Sequence, residues 1–251
     1  MELVAVEDSE FDRIERERLS AVGLQRSVER AFANHSYWIH YARLLAIRTL
    51  LPPAETIIDL GGAAAPLYEM GYAHAFKKLT MIDLPPHARH QMYASISARP
   101  APCGNVLVHY ADMTRLDSFA DRSVDLVWSG QSIEHVPLEA GTRMIAEAFR
   151  VLKPGGYFCL DTPNGLITSV HAATAGKTMI HDEHHIEYRP NHLQSLLTGA
   201  GFSISKAMGV RHMPRTVATK TFDYSDFVLG SPLWPDIVTS YIQFYCCRRN
   251  K

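Results

Sequence analysis

Short apolar runs separated by amphipathic or glycine- and proline-containing stretches organise this chain. Residues 56–60, 78–83, 106–110, 124–128 and 157–161 are each dominated by Ile, Leu, Val, Met or aromatics and are bounded by Asp, Gly or Pro. A continuous apolar run of this length predicts a strand buried on both faces. Between the fourth and fifth runs, residues 139–152 repeat apolar positions at helical spacing, and Lys153–Pro154–Gly155–Gly156 predicts a turn. Strands that alternate with helices imply right-handed crossovers and a parallel sheet. A helix over 192–199, a sixth strand over 202–208 and a seventh over 240–247 complete the pattern. Residues 162–190 and 209–236 lack clear periodicity. Before the first strand, residues 24–50 predict a helical region stopped by Pro52 and Pro53, and the charge-rich residues 1–20 predict a helix with a solvated face.

Composition narrows the class. With 251 residues, 47% hydrophobic and 20% charged, the chain can bury the core of one α/β domain with additions. A net charge of −1 and the lack of a long basic block give no support to a sequence-independent grip on nucleic acid. Cys103, Cys159, Cys246 and Cys247 show no metal-finger spacing, and two are adjacent, which suits a reduced, cytoplasmic chain. The sequence shows no signal peptide and no apolar run long enough to span a membrane, so no membrane partner is expected.

The ends of the first four strands carry the candidate chemistry. In an open parallel sheet, ligands bind beyond the carboxyl ends of the strands near the switch in strand order. The first strand ends in Asp59–Leu60–Gly61–Gly62: an acid, then glycines that permit a tight turn and close approach of a ligand. A carboxylate there repels phosphate but welcomes a cation, and S-adenosylmethionine (AdoMet) carries an ammonium and a sulfonium and no phosphate. Asp83 ends the second strand, with Leu84 after it, where a carboxylate accepts from ribose hydroxyls. Asp112 after the third can accept from an adenine amino group while Met113 packs on the ring. Ser129, Gly130 and Gln131 follow the fourth, at the methionine end of the ligand. Singly, each acid also reads as a turn former or helix cap.

In this order the segments resemble the class I AdoMet-dependent methyltransferases, from about residue 45 to the end. The matching motifs are Ile58–Asp59–Leu60–Gly61–Gly62, Met81–Ile82–Asp83, Ala111–Asp112–Met113, Val124–Asp125–Leu126–Val127, Leu152–Lys153–Pro154–Gly155–Gly156 and Gly201–Phe202. The resemblance implies an α/β, doubly wound, mostly parallel seven-stranded sheet whose last strand is antiparallel between the fifth and sixth. Ala63 and Ala65 stand where that family often has glycine. A nicotinamide-dependent enzyme would also place an acid after the second strand, but no G-x-G-x-x-G follows the first.

Past the fourth strand, Gln131–Ser132–Ile133–Glu134–His135 and, later, His181–Asp182–Glu183–His184–His185 resemble segments of ubiquinone-type small-molecule O-methyltransferases. They also resemble the small-RNA 2′-O-methyltransferases, whose Glu-x-x-Glu-His segment and distant histidine bind a divalent metal. Carried across, Glu134, His135 and His184 are catalytic candidates and the metal-ligand candidates, but Gln131 replaces the first acid, which weakens the case for a hard cation. Three readings stay open for the histidines: ligands, general bases that take a hydroxyl proton, or packing. The base reading is favoured for His135 and His184, and packing for His185 and His192.

The resulting organisation is an N-terminal helical cap over 1–50 and a methyltransferase domain over 51–251 with lid insertions at about 163–190 and 209–238. The second insertion offers Phe222, Tyr224, Phe227 and Trp234, with Tyr241 just beyond, as a stacking surface, and Arg211, His212, Arg215 and Lys220 as positive charge. The expected partner is a small hydroxylated acceptor, methylated on oxygen, such as a sugar or glycan precursor. An RNA 2′-hydroxyl and a non-catalytic AdoMet-binding role are the alternatives.

Overall fold

A computed structural model describes residues 21–62, 65–88 and 104–250; the readings made for residues 1–20, Ala63 and Cys103 lie outside them. Helix α1 (Ala21–Leu50) leads into β1 (Thr56–Leu60), β2 (Lys78–Asp83), β3 (Val106–Tyr110) and β4 (Val124–Gly130). Then come α2 (Leu138–Val151), β5 (Leu152–Pro163), α3 (Gly165–Thr174), α4 (Pro190–Gly199) and β6 (Phe202–His212). Short helices α5 (Pro214–Thr219) and α6 (Asp226–Leu229), the two-residue β7 (Leu233–Trp234) and β8 (Ser240–Arg249) close the chain.

The sheet order is β3-β2-β1-β4-β5-β8-β6-β7, with β1 to β5 parallel to one another and β8 antiparallel between β5 and β6. The expected topology is therefore present, with one correction. The sheet has eight strands, because Leu233–Trp234 pairs antiparallel with Val210 and Gly209 at the edge of β6. Two residues are too few to show an alternating pattern. A second difference lies at Lys153–Gly156, which is part of β5 and not a separate turn. Gly155 adopts φ +82°, and the ladder jumps from Val124↔Leu152 to Leu126↔Tyr157, so the glycine turn is absorbed as an irregularity within the strand.

Side chains alternate across the sheet and build two cores. Ile57, Leu79, Met81, Leu126 and Trp128 face one layer, where Ala42, Ala46 and Ile47 of α1 cover them. Ile58, Leu60, Ile82 and Val127 face the other, under Met144, Ile145 and Ala148 of α2 and Leu193 and Leu197 of α4. The i, i+3, i+4 spacing in α2 is what puts its apolar stripe on the sheet. β1 lies at the centre, flanked by β2 and β4, so the strand-order switch falls between β1 and β4.

Candidate active site

Beyond the carboxyl ends of these strands opens a cavity of about 590 Å³. Asp59, Gly61 and Gly62 line it from β1, Asp83 and Leu84 from β2, Asp112 and Met113 from the loop after β3, and Gly130 and Gln131 from the end of β4. These are the positions the strand-end argument selects, with one exception. Ser129 is fully buried, does not line the cavity, and its Oγ has no hydrogen-bond partner among the described residues. Side chains of a pleated strand alternate, and Ser129, in register with Leu60 and Leu160, falls on the side that belongs to the core.

The first loop is tightly fitted. Gly61 adopts φ +74°, and a Cβ there would meet Ser132 Oγ at 2.6 Å. A Cβ on Gly62 would meet Asp59 Oδ2 at 2.2 Å. Both glycines are thus required by close approach, and they leave a backbone cradle facing the cavity. Asp59 is buried and accepts the Leu67 N–H at 2.7 Å, and burial pushes its pKa up to about 7. Its first task is to hold the loop. Asp83 Oδ1 accepts the Leu84 N–H at 2.7 Å, and Asp112 Oδ1 accepts the Thr114 N–H at 2.8 Å, which fixes both carboxylates at the wall.

At the other end stands the imidazole and carboxylate cluster. Ligand-type atoms of Glu134, His135 and His184 all lie within 4.8 Å of one another. The His135 and His184 rings meet edge to face with centroids 5.0 Å apart, and His181 stands 5.3 Å from His184. His135 lines the cavity, while Glu134 and His184 are buried behind it. Burial lifts the Glu134 pKa to about 7 and, with the neighbouring histidines, lowers that of His135 to about 4. Thr162 donates to Glu134 Oε2 at 3.0 Å, and Oε1 has no hydrogen-bond partner among the described residues. His184 Nδ1 lies 2.9 Å from Glu187 Oε1, and Glu187 also accepts the Ile180 N–H at 2.8 Å. These residues fit a divalent cation: one buried carboxylate oxygen without a proton donor, one neutral imidazole, and a second whose other nitrogen is fixed by a carboxylate.

The strand order and the strand-end cavity find their counterpart in sequence. Residues 59–160 match a family model described as a methyltransferase domain. This is a class I methyltransferase domain. The cofactor of that class is AdoMet, and the cradle and acids above fit it. A curated relative from Mycolicibacterium smegmatis, named "Probable S-adenosylmethionine-dependent methyltransferase", is 38% identical over 92 residues, 37% of this chain and 34% of that protein. The dimethylglycine N-methyltransferase of Parasynechococcus marenigrum is 30% identical over 149 residues, 57% of this chain and 49% of its own length. The chain thus spans about a third to a half of these curated relatives. A solved Thermotoga maritima structure, described as a SAM-dependent methyltransferase and possible histamine N-methyltransferase, shares the fold at TM-score 0.59. It is 17% identical, with 91% of this chain and 100% of that one covered.

Several residues of the methyltransferase domain and its flanks depart from expectation. His185, expected to pack, lines the cavity, and its backbone N–H donates to the Glu134 carbonyl at 2.8 Å. His192 lies against the Tyr188 ring at 5.9 Å. No residue of 209–238 lines the cavity. Phe222 stacks on His171 at 3.9 Å, and Phe222, Phe227 and Tyr241 are buried in the core that α1 covers, so these aromatics serve packing there. Trp234 stacks on His212 at 4.3 Å. Arg211 is buried, donating to the carbonyls of Gly230 and Trp38, while Arg215 and Lys220 are exposed. Sequence reasoning missed His40, Arg43, Ser132 and Glu183 on the cavity wall. It also missed Asp161, fully buried at the end of β5, whose strand-end acid was the available signal. Asn164 follows: its carboxamide caps α3 at Leu166 N and donates to the carbonyls of Ile237, Val238 and Ser240, tying the first insertion to the second. Among the described residues no helix is long and apolar enough to cross a membrane.

Proposed function

We propose that this chain transfers a methyl group from AdoMet to a hydroxyl of a small polyhydroxylated acceptor, such as a sugar or glycan precursor. The observation that carries the reading is the cluster of Glu134, His135 and His184, which reaches the cofactor cavity through His135. Bound AdoMet supplies an activated methyl on a positive sulfur. The wall residues orient the acceptor for in-line approach. As the acceptor oxygen bonds to the methyl carbon, the carbon–sulfur bond breaks and leaves a neutral thioether. His185, an imidazole of the same wall, takes the hydroxyl proton.

A neutral amine needs no such assistance, since its lone pair attacks directly. A sugar hydroxyl is a far weaker acid than a phenol and needs help to lose its proton. A buried carboxylate and paired imidazoles suit that demand. The sequence favoured a general base at His135 and His184; the low pKa of His135 and the uncompensated Glu134 Oε1 support the ligand role instead. Glu134, His135 and His184 would hold a divalent cation, which when bound lowers the pKa of a coordinated hydroxyl.

A screen of polyols, sugars, phenols and amines with methyl-labelled AdoMet tests the acceptor. Label on hydroxylated acceptors is expected, and label on amines alone would sink the reading. The cation is tested separately. Activity is expected to fall on exhaustive chelation and return with Mg²⁺, Mn²⁺ or Zn²⁺. Full activity of chelated protein would leave hydroxyl methylation standing and remove the cation.

A further inference from the structure

We propose that Cys159 and Cys246 are a redox pair, a dithiol that a peroxide closes to a disulfide within the folded sheet, joining β5 to β8. The inference is independent of what fills the cavity, and neither thiol takes part in the transfer described above.

The strand register brings the two together. Cys159 and Cys246 are direct partners in the antiparallel β5–β8 ladder, which runs without a break from Tyr157↔Arg248 to Pro163↔Ile242. Opposed residues in such a ladder alternate between hydrogen-bonded and non-hydrogen-bonded pairs. Just past Pro163, the Asn164 N–H donates to the Tyr241 carbonyl at 2.9 Å, which makes that pair hydrogen-bonded. Alternation back along the strands makes Pro163 with Ile242 a non-hydrogen-bonded pair, where a residue without an N–H belongs, and Cys159 with Cys246 another. Opposed Cα atoms in such pairs stand about 4.5 Å apart with their side chains close, within the range that a disulfide spans. Both cysteines face the core that α1 covers. Cys247 is the contrast. It follows Cys246 in sequence, but strand alternation sends it into the opposite core, in register with Phe158.

Burial decides the order of the chemistry. All three described thiols are free and buried. Burial, and next the adjoining Cys246 thiol, pushes the Cys159 thiol well up, which makes it a poor first nucleophile. Cys246 is 3% exposed and donates to the Leu50 carbonyl at 3.5 Å, under the last turn of α1. Helix ends fray, so Cys246 is the thiol that a small peroxide reaches first. Its sulfur attacks a peroxide oxygen, the O–O bond breaks, and a sulfenic acid and one water form. The Cys159 sulfur then attacks that sulfur and gives up its proton, the S–O bond breaks, and a second water leaves. Two thiols and one hydrogen peroxide thus give one disulfide and two waters. The bond would form one strand from the cavity, since Cys159 is also in register with Trp128, which lines it.

The plain alternative is a set of small side chains that fill the core. Peptide mapping separates the two. Cys103 lies outside the described residues, so Cys103→Ser protein is used, which keeps the three described thiols. It is treated with hydrogen peroxide while folded, quenched with N-ethylmaleimide in denaturant, and digested without reduction. A peptide linking Cys159 to Cys246 is expected, with Cys247 alkylated. The melting temperature is expected to rise by about 5–15 °C and to return on adding dithiothreitol. With Cys159→Ser added, Cys246 should be trapped by dimedone as a sulfenic acid, and the rise should vanish; Cys159→Ala gives the same readout if the serine does not fold. No linked peptide, a link to Cys247 instead, or a link that forms only in denaturant would overturn the pair. A link without a rise in melting temperature would overturn its fit to the folded sheet.

Discussion

The two ends of the cavity solve opposite electrostatic problems. At the cofactor end, Asp83 and Asp112 sit at strand ends, each held by a backbone N–H one or two residues on. They keep contact with solvent and are ready to accept hydrogen bonds. At the acceptor end, Glu134 is fully buried, one of its oxygens lacks a donor among the described residues, and its neighbours are imidazoles. Burying a carboxylate without compensation is costly. Local backbone geometry suffices for the first end, whereas the second is assembled from two segments about fifty residues apart in sequence and held by the Glu134 carbonyl on His185 N–H. The Asp83 and Asp112 positions are therefore expected to tolerate substitution without loss of the fold, and the acceptor end to be strained until something fills it.

The largest test of that contrast is His184→Ala. Turnover is expected to fall about 10²- to 10⁴-fold while AdoMet affinity is retained, because the change touches the acceptor end alone. Equal loss of AdoMet binding would merge the two ends into one. Next is Asp83→Ala, expected to weaken AdoMet binding by about 1–3 kcal/mol with little change in melting temperature. Unchanged affinity in calorimetry would remove Asp83 from the cofactor end.

A third test uses pH. Burial raises the folded pKa of Glu134 to about 7, above its ordinary 4.5. The folded state then binds more protons than the unfolded state between these values. The Glu134 contribution to stability is fully present below about 4.5 and is lost as pH rises through about 7. In chelator, Glu134→Gln should flatten that loss by roughly 1–2 kcal/mol between pH 5 and 8. The comparison with wild type is needed because His135, with its pKa lowered, acts in the opposite sense, losing stability as pH falls below its ordinary 6.5. Parallel stability curves for wild type and Glu134→Gln would show that the acceptor end is not strained. The smallest effect is expected outside both ends. Tyr224→Phe removes the 3.0 Å contact to His171 Nε2 and should cost about 1 kcal/mol of stability with turnover unchanged.

Much of this was written in short-range pattern. Each buried strand announced itself as an apolar run, and the acids at 59, 83 and 112 follow from where those runs end. The pairing of His135 with His184 came from a motif, and the rings do meet. What stayed hidden depends on contacts across the chain. Arg43 stands in a helix between Ala42 and Leu44, where a charged residue reads as the solvated face; only its pairing with Asp161, 118 residues away, turns it inward. The aromatics of 209–238 read as a stacking surface because composition does not say which side of a loop is covered. His171, from the other insertion, covers it.

Asn164–Gly165 has a consequence for how the protein ages. An asparagine followed by glycine is chemically labile, because the glycine nitrogen can attack the side-chain amide and release ammonia. Here the Gly165 N–H is committed to the Tyr188 carbonyl at 2.9 Å, and the amide group of Asn164 is held by three carbonyls. Cyclisation therefore requires both insertions to open together. The rate at which aspartate accumulates at position 164 is a slow clock for that opening, readable by mass spectrometry on stored protein without any substrate.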